Sequence, residues 1–377
     1  MQRAVVMLAL LAAFEAQAQA PQTVAVQGGQ VRVETVASGL ENPWGMAFLP
    51  DGRLLITERP GRLRLVTREG QVSAPVSGLP SIFVRSQGGL LDLALDPSFA
   101  SNRLVTICYA AEGPGGASTH VARGRLVEDG GTARLADVQV IFRQQPALSR
   151  GAHFGCRLVF TRDGHLFVTL GDFFQQMREA QNLANTIGKV VRLRPDGSIP
   201  PDNPFVNRPG ADPAVFSYGH RNVQGATLGP DGALWISEHG ARGGDEINRV
   251  EAGKNYGWPV VTFALDYSGA VISNETSRPG MEPPIHHWPN SVTVAPSGAA
   301  FVSGDLFPNW RGHMLVGGLR SRALVRLAMA NGRVTGEEWM LESLGERIRD
   351  VRLGRDGAIW LLTDSPRGRV LRVTPAR

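Results

Sequence analysis

His153 and Asp172 are the pair of residues in this sequence best suited to proton chemistry. An Asp163-Gly164 hairpin signal lies between them, with His153 about ten residues before the turn and Asp172 about nine after it. The two arms of a hairpin return to the same level, so imidazole and carboxylate are expected side by side. A carboxylate next to an imidazole fixes its tautomer and stabilises its charged form, the arrangement a general base needs. His165 sits in a hairpin turn, and His120, His286, His287 and His313 have no comparable partner in the pattern.

The same turn recurs, and so does its phase. Apolar stretches flank Asp51-Gly52, Asp96-Pro97, Asp163-Gly164, Asp231-Gly232, a degenerate copy around Gly304-Asp305, and Asp356-Gly357. Asn42, Gln87, His153, Arg221, Ser297 and Arg347 lie at about the same distance upstream of these six turns, Ser297 slightly closer. All six are polar. If the copies are arranged around an axis, these residues ring one mouth of a central channel.

Each copy is followed by a further strand-like segment, such as Arg62-Leu-Arg-Leu-Val66 or Arg369-Val-Leu-Arg-Val373. Six units of three or four strands predict an all-β fold, a six-bladed β-propeller with four-stranded blades. Val31-Arg-Val-Glu-Thr-Val36 precedes the first copy and is placed to close the ring on the last blade.

Two further groups of residues suit ligands. Arg221, Arg320, Arg347 and Arg349 fall at the same predicted mouth, and Arg binds carboxylates in bidentate fashion, so a polyanionic ligand is indicated. The stretch from Glu238 through Gly240, Ala241, Asp245 and Glu246 to Asn248, leading to Asn255-Tyr256-Gly257-Trp258-Pro259, offers carbonyl and carboxylate oxygens. Such loops suit a hard cation like Ca²⁺, and equally suit plain turns. No EF-hand loop, zinc spacing, Gly-Lys-Ser/Thr phosphate loop or Gly-x-Ser-x-Gly elbow is present.

Composition narrows the class. With 42% hydrophobic residues among 377, 45 Gly and 2 Cys, the chain is neither disordered nor a disulfide scaffold, and it has no collagen period. The formal charge of +5 comes from scattered arginines, with Lys189 and Lys254 the only lysines. No basic stripe marks a nucleic-acid track. Met1-Gln2-Arg3, the apolar run from Ala4 to Phe14 and the small residues up to Ala20 have the layout of a secretory signal peptide. Residues 1–20 are therefore expected to be removed and 21–377 to form one propeller domain, periplasmic or secreted, without a membrane span. Cys108 and Cys156 can pair in an oxidising compartment or remain buried thiols; spacing does not decide.

The sequence resembles the soluble quinoprotein sugar dehydrogenases, particularly their aldose sugar dehydrogenase branch, from about Leu40 to Val373. The resemblance is densest in Gln87-Gly-Gly-Leu-Leu-Asp92, His153-Phe-Gly155, Gly219-His-Arg-Asn222, Gly243-Gly-Asp-Glu-Ile-Asn248, Asn255-Tyr-Gly-Trp-Pro259 and Arg347-Ile-Arg-Asp350. It implies a six-bladed propeller with pyrroloquinoline quinone (PQQ) at the channel mouth and oxidation of an aldose at C1 to the lactone. An external electron acceptor, a cytochrome or a quinone, is implied as partner. By position, His153 looks like the catalytic base oriented by Asp172, with Arg221 and Asn222 at the quinone and Gln87 close to substrate and cofactor. Arg320, Arg347 and Arg349 would hold the PQQ carboxylates, with Ser297 and Tyr267 nearby. Carbonyls of Gly240 and Ala241 would bind the Ca²⁺ on PQQ, and Glu246 with the Tyr256 carbonyl a second Ca²⁺. Three residues depart from the family pattern: Cys156 where Gly is usual, Arg320 where Lys is common, and Ala241 where Pro is common. A propeller lactonase or hydrolase with a channel metal, and a non-catalytic binding propeller, are the alternatives.

Overall fold

The structure, a computed structural model, describes residues 20–149 and 151–376. Apart from Ala20, the expected signal segment lies outside the described residues. The repeated apolar runs become six antiparallel sheets in chain order. Their innermost strands are Pro43–Phe48, Leu90–Leu95, Leu158–Phe160, Val223–Leu228, Pro296–Phe301 and Ile348–Leu353. Each touches the next and the sixth touches the first, which makes the molecule a six-bladed propeller.

The Asp-Gly signals are tight turns at the ends of these strands. Gly52, Gly164, Gly232 and Gly357 have φ between +80° and +88°, a region costly for any residue with a Cβ. Their N–H groups donate to the carbonyls of Leu49, Thr161, Gly229 and Gly354. In blades 2 and 5 short helices, Phe99–Asn102 and Pro308–Trp310, replace the tight turn.

Blades 2 to 5 have four strands, as expected, but blades 1 and 6 do not. Blade 1 has three, because the chain after Arg62–Val66 runs through Pro75 and Pro80, which have no N–H for a ladder. Ser73 and Val76 still donate to Leu65 and Leu63, so an irregular segment covers that edge. Blade 6 has five, because both N-terminal strands join it. Gly29–Leu40 pairs with Gly368–Pro375, Val31 opposite Pro375 and Leu40 opposite Gly368. The strand around Val31–Val36 thus closes the ring as its position predicts.

Apolar side chains fill the spaces between blades. Leu55, Leu63, Leu93 and Ile107 pack between blades 1 and 2, and Val121, Leu158 and Val168 between blades 2 and 3. Their removal from water is the main favourable contribution to folding. The axis is polar instead. Arg157 is almost fully buried there, with Nη1 2.8 Å from Asp350 and 3.4 Å from Asp92. Its Nε donates to the carbonyl of Gln224, and its guanidinium lies over the Trp44 ring at 4.1 Å. Arg352 adds a second cation against Asp350 and Asp92. Buried ions persist only when paired in this way. The network separates two openings, one polar and one rimmed by Phe48, Leu95, Phe160, Leu228, Phe301 and Leu353, one per blade.

Candidate active site

The loop entering the inner strand of blade 3 carries His153, and the loop leaving the returning strand Leu166–Thr169 carries Asp172. His153 Nδ1 lies 2.7 Å from Asp172 Oδ1. With Nδ1–H donating to the carboxylate, Nε2 keeps its lone pair. Phe174 N–H and Trp258 Nε1–H, each at 2.9 Å, complete the shell of Asp172. The backbone of His153 is held as firmly: its N–H donates to Gln87 Oε1 at 2.8 Å, and Gln87 N–H donates to the Gly151 carbonyl. Gly171 has to be glycine, since a Cβ there would sit 1.9 Å from the His153 carbonyl oxygen.

Electrostatics keep this pair in one protonation state. Burial pushes the His153 imidazole below its ordinary value, the Asp172 hydrogen bond and charge partly restore it, and the Arg221 charge opposes protonation. Burial pushes Asp172 up, but the His153 hydrogen bond and the charges of His153 and Arg221 outweigh it, so the carboxyl lies below its ordinary value. The result is a neutral imidazole on an ionised carboxylate near pH 7.

Beside the pair opens a cavity of about 520 Å³, of the size of small-molecule sites. Gln87, Asn222, Arg347 and Arg349 line it, together with Phe154 and Gly155 of the His153 loop. Arg347 and Arg349 share one carboxylate, Asp364, at 2.7 Å and 3.0 Å. Burial, and then the charges of Arg157 and Arg347, push Arg349 below the ordinary guanidinium value against the pull of Asp364. Its Nε is buried and has no hydrogen-bond partner among the described residues. Two guanidinium groups on one acid, one of them incompletely paired, make the cavity wall a receptor for an anion.

Arg221 lines a small neighbouring recess with Gly240, Glu246 and Trp258. Its Nη1 donates to the carbonyls of Gly240 and His239, its Nη2 to the Tyr267 hydroxyl at 3.3 Å, and its guanidinium lies over Trp258 and Tyr267. Tyr267 is 56% exposed and stacks on Phe174, whose ring edge meets His153. Gly240 and Ala241 lie in the loop leaving the blade 4 hairpin, where Gly240 N–H donates to Asp245. Glu246 faces Glu238, and the Asn248 amide donates to both carboxylates, at 3.3 Å and 3.0 Å. Burial and the Glu238 charge push Glu246 well above its ordinary value. The Tyr256 ring stacks on His220, which itself is paired with Glu238. Among the described residues no group of three or more His, Cys, Asp or Glu side chains is arranged to hold a metal.

Of the expected cofactor residues, Arg221, Tyr267, Ser297 and Arg320 do not line the cavity. Ser297 is fully buried within its strand, its hydroxyl against the carbonyls of Gly317 and Ile348 at 2.9 Å and 2.6 Å. The reason is phase: Asn42, Asn222 and Arg347 immediately precede their inner strands, whereas Ser297 lies inside Pro296–Phe301. Ala295, at φ +49°, occupies the lining position instead. Arg320 is exposed next to the lining residue Leu319.

Several residues were missed in the sequence: Trp258 on Asp172, Asp364 between the arginines, and Trp44, Arg59 and His239 in the lining. Burial and the charges of Arg221 and His153 push His239 down to about 3, so it is neutral, its Nε2–H donating to the Pro296 carbonyl. Cys108 and Cys156 form a disulfide, with Cα atoms 5.8 Å apart. That decides between the two states the spacing left open.

Fold and site together define a propeller whose arginine-walled, cofactor-sized cavity opens beside a buried His–Asp pair. The sequence matches the Glucose / Sorbosone dehydrogenase family over residues 40–372, and the chain belongs to that family. It is 43% identical to the aldose sugar dehydrogenase YliI of Escherichia coli over 350 residues, 92% of this chain and 93% of that protein. The crystal structure of the soluble Escherichia coli aldose sugar dehydrogenase in its apo form superposes with a TM-score of 0.88 at 42% identity, covering 92% of this chain and 100% of that one. The PQQ-bound aldose sugar dehydrogenase from Streptomyces coelicolor superposes with a TM-score of 0.74 at 29% identity, covering 91% and 98%.

Proposed function

We propose that this protein oxidises aldose sugars at C1 to the lactone with PQQ as cofactor, and that His153 is its general base. The observation that carries the reading is the buried His153–Asp172 pair beside a cavity walled by Arg347 and Arg349. Its support among relatives is the aldose dehydrogenase activity named for the Escherichia coli protein and the PQQ named in the Streptomyces coelicolor structure.

The residues present fit the cofactor. PQQ carries three carboxylates, and the unpartnered Arg349 Nε and the doubly shared Asp364 leave the wall with positive charge to spare. Arg347 and Arg349 would hold carboxylates there, with Arg320 at the rim and Gln87 and Asn222 against the ring system. When bound, PQQ supplies an electrophilic carbonyl that accepts the two electrons leaving C1 with its hydrogen. His153 Nε2 takes the C1 hydroxyl proton, Asp172 holds the imidazole in the receiving tautomer, and the Arg221 guanidinium stabilises negative charge developing opposite it. The C1–O bond becomes the lactone carbonyl.

Calcium belongs to the same proposal. The Gly240 carbonyl already faces a positive charge, that of Arg221, so it presents to a cation, and Ca²⁺ there would share or displace the guanidinium. Glu238 is met by His220, the Arg221 N–H and the Asn248 amide, whereas burial and the Glu238 charge hold Glu246 toward its neutral form; a second Ca²⁺ on Glu246 and the Tyr256 carbonyl would favour the ionised carboxylate.

The mature chain is read as residues 21–377 in the periplasm or outside the cell. A buried disulfide supports an oxidising compartment, and among the described residues no helix is long and apolar enough to cross a membrane. A cytochrome or quinone is the proposed acceptor. The test adds PQQ and Ca²⁺ to purified apoprotein. A shift in the PQQ spectrum and aldose-dependent dye reduction are expected, and the absence of both overturns the reading.

A further inference from the structure

We infer that the Cys108–Cys156 disulfide is a positioning device for His153: it holds the backbone at Cys156 in the left-handed region and thereby sets the loop that presents the imidazole to Asp172. The inference rests on the proposed role of His153 as base.

Three of the four residues from His153 to Cys156 have positive φ: His153 at +54°, Gly155 at +65° and Cys156 at +84°. Glycine adopts such values freely; a cysteine pays a steric penalty and relaxes unless something prevents it. Cys156 is also the hinge between two anchored segments. Its N–H donates to the Thr169 carbonyl at 2.6 Å, which starts the regular pairing that continues from Leu158 into the hairpin. Immediately before it, Gly155 and Phe154 offer their carbonyls to Gln224 and Thr119, and His153 N–H is on Gln87. A change of φ at Cys156 would swing the segment before it away from these partners.

The covalent bond prevents that change from the neighbouring blade. Cys108 lies in the second strand of blade 2, Leu104–Gly113, paired opposite Val121. Both cysteines are fully buried, among Phe154, Leu158, Val121 and Val168. A staple serving stability alone has no reason to end on a residue in the left-handed region three positions from the base.

The experiment compares the parent with two double variants that lack the bond, Cys108→Ala/Cys156→Ala and Cys108→Ala/Cys156→Gly. Alanine resists a φ of +84°, whereas glycine accepts it. The alanine pair is expected to lose roughly ten- to a hundredfold in kcat, with aldose KM and PQQ affinity near parent values. The glycine pair is expected to recover to within about threefold of the parent. Equal behaviour of the two pairs, both active or both depressed, overturns the inference. If the alanine pair does not fold, the glycine pair decides alone: a tenfold fall in kcat with circular dichroism unchanged also overturns it. Ring ¹⁵N chemical shifts of His153 in the apoproteins supply a readout independent of turnover, since they report its hydrogen bond to Asp172. Parent-like shifts in the glycine pair and altered ones in the alanine pair support the inference; parent-like shifts in both overturn it. A parent that fails to oxidise aldoses would sink the dehydrogenase reading and leave this comparison intact.

Discussion

Trp258 donates its indole N–H to Asp172 Oδ2 at 2.9 Å, on the same carboxylate whose other oxygen meets His153. The two donors come from different blades, so the orientation of the acid is fixed from outside its own hairpin. Trp258→Phe keeps the ring and removes the donor. It is expected to cost about 1.5–3 kcal/mol of stability, the usual worth of a hydrogen bond to a charged group. Urea denaturation measures that cost, and stability equal to the parent's would show that the bond is not made.

His153→Ala is expected to bind PQQ as the parent does and to lose roughly 10²–10⁴-fold in kcat. Cofactor titration followed by steady-state dye reduction separates the two effects. Unchanged turnover would remove His153 from the reaction.

The pH dependence follows from the direction of the His153 shift. The imidazole is held below its ordinary 6.5, so the base remains unprotonated, and kcat/KM level, from pH 7 to below that value. Asp172 is the group that raises the imidazole, so Asp172→Asn is expected to move the acid limb to lower pH as well as lowering the rate. Stability has the matching sign. Protons bind the unfolded chain more readily than the folded one at this site, so its contribution is present above about pH 6.5 and is lost as pH falls. A limb shifted upward in Asp172→Asn would contradict this account.

Arg349→Leu removes a buried guanidinium from the cavity wall. The loss of a charge-assisted bond to a carboxylate, about 1.5–3 kcal/mol, corresponds to roughly a ten- to hundredfold weaker PQQ affinity. Isothermal titration of the apoprotein checks it, and parent-like affinity would place the cofactor carboxylates elsewhere.

Arg157→Met leaves Asp92 and Asp350 facing each other in the buried axis with Arg352 alone to pair them. Removing one partner of a buried ion network costs about 3–5 kcal/mol. Calorimetry is expected to show a correspondingly lower Tm; a neutral result would mean that water reaches the axis.

How the sequence led to this site, and where it failed, can be followed turn by turn. Counting back from tight Asp-Gly turns locates Asn42 and His153, because a nearly equal length of chain runs from the channel mouth to each of these turns. The same count lands on Ser297, inside the strand Pro296–Phe301, two residues past Ala295, which lines the cavity. Counting forward from the turns reaches Asp172 in blade 3 and, in blades 1, 4 and 6, Arg59, His239 and Asp364, these three directly after their returning strands and in the cavity wall. Trp258 carried no such signal: it belongs to an irregular loop whose path only tertiary packing sets. The strand count of blades 1 and 6 depended likewise on prolines and on the meeting of the two chain ends.

The ion network around Arg157 makes the ring a cup and not a tube. Sugar and lactone must therefore pass one lip in turn, and whatever collects the electrons must come to that same lip. Product that lingers there shields the reduced centre, so lactone is expected to slow reoxidation as well as sugar entry. The far opening, where Arg352 and Arg355 join the apolar rim, takes no part in this traffic.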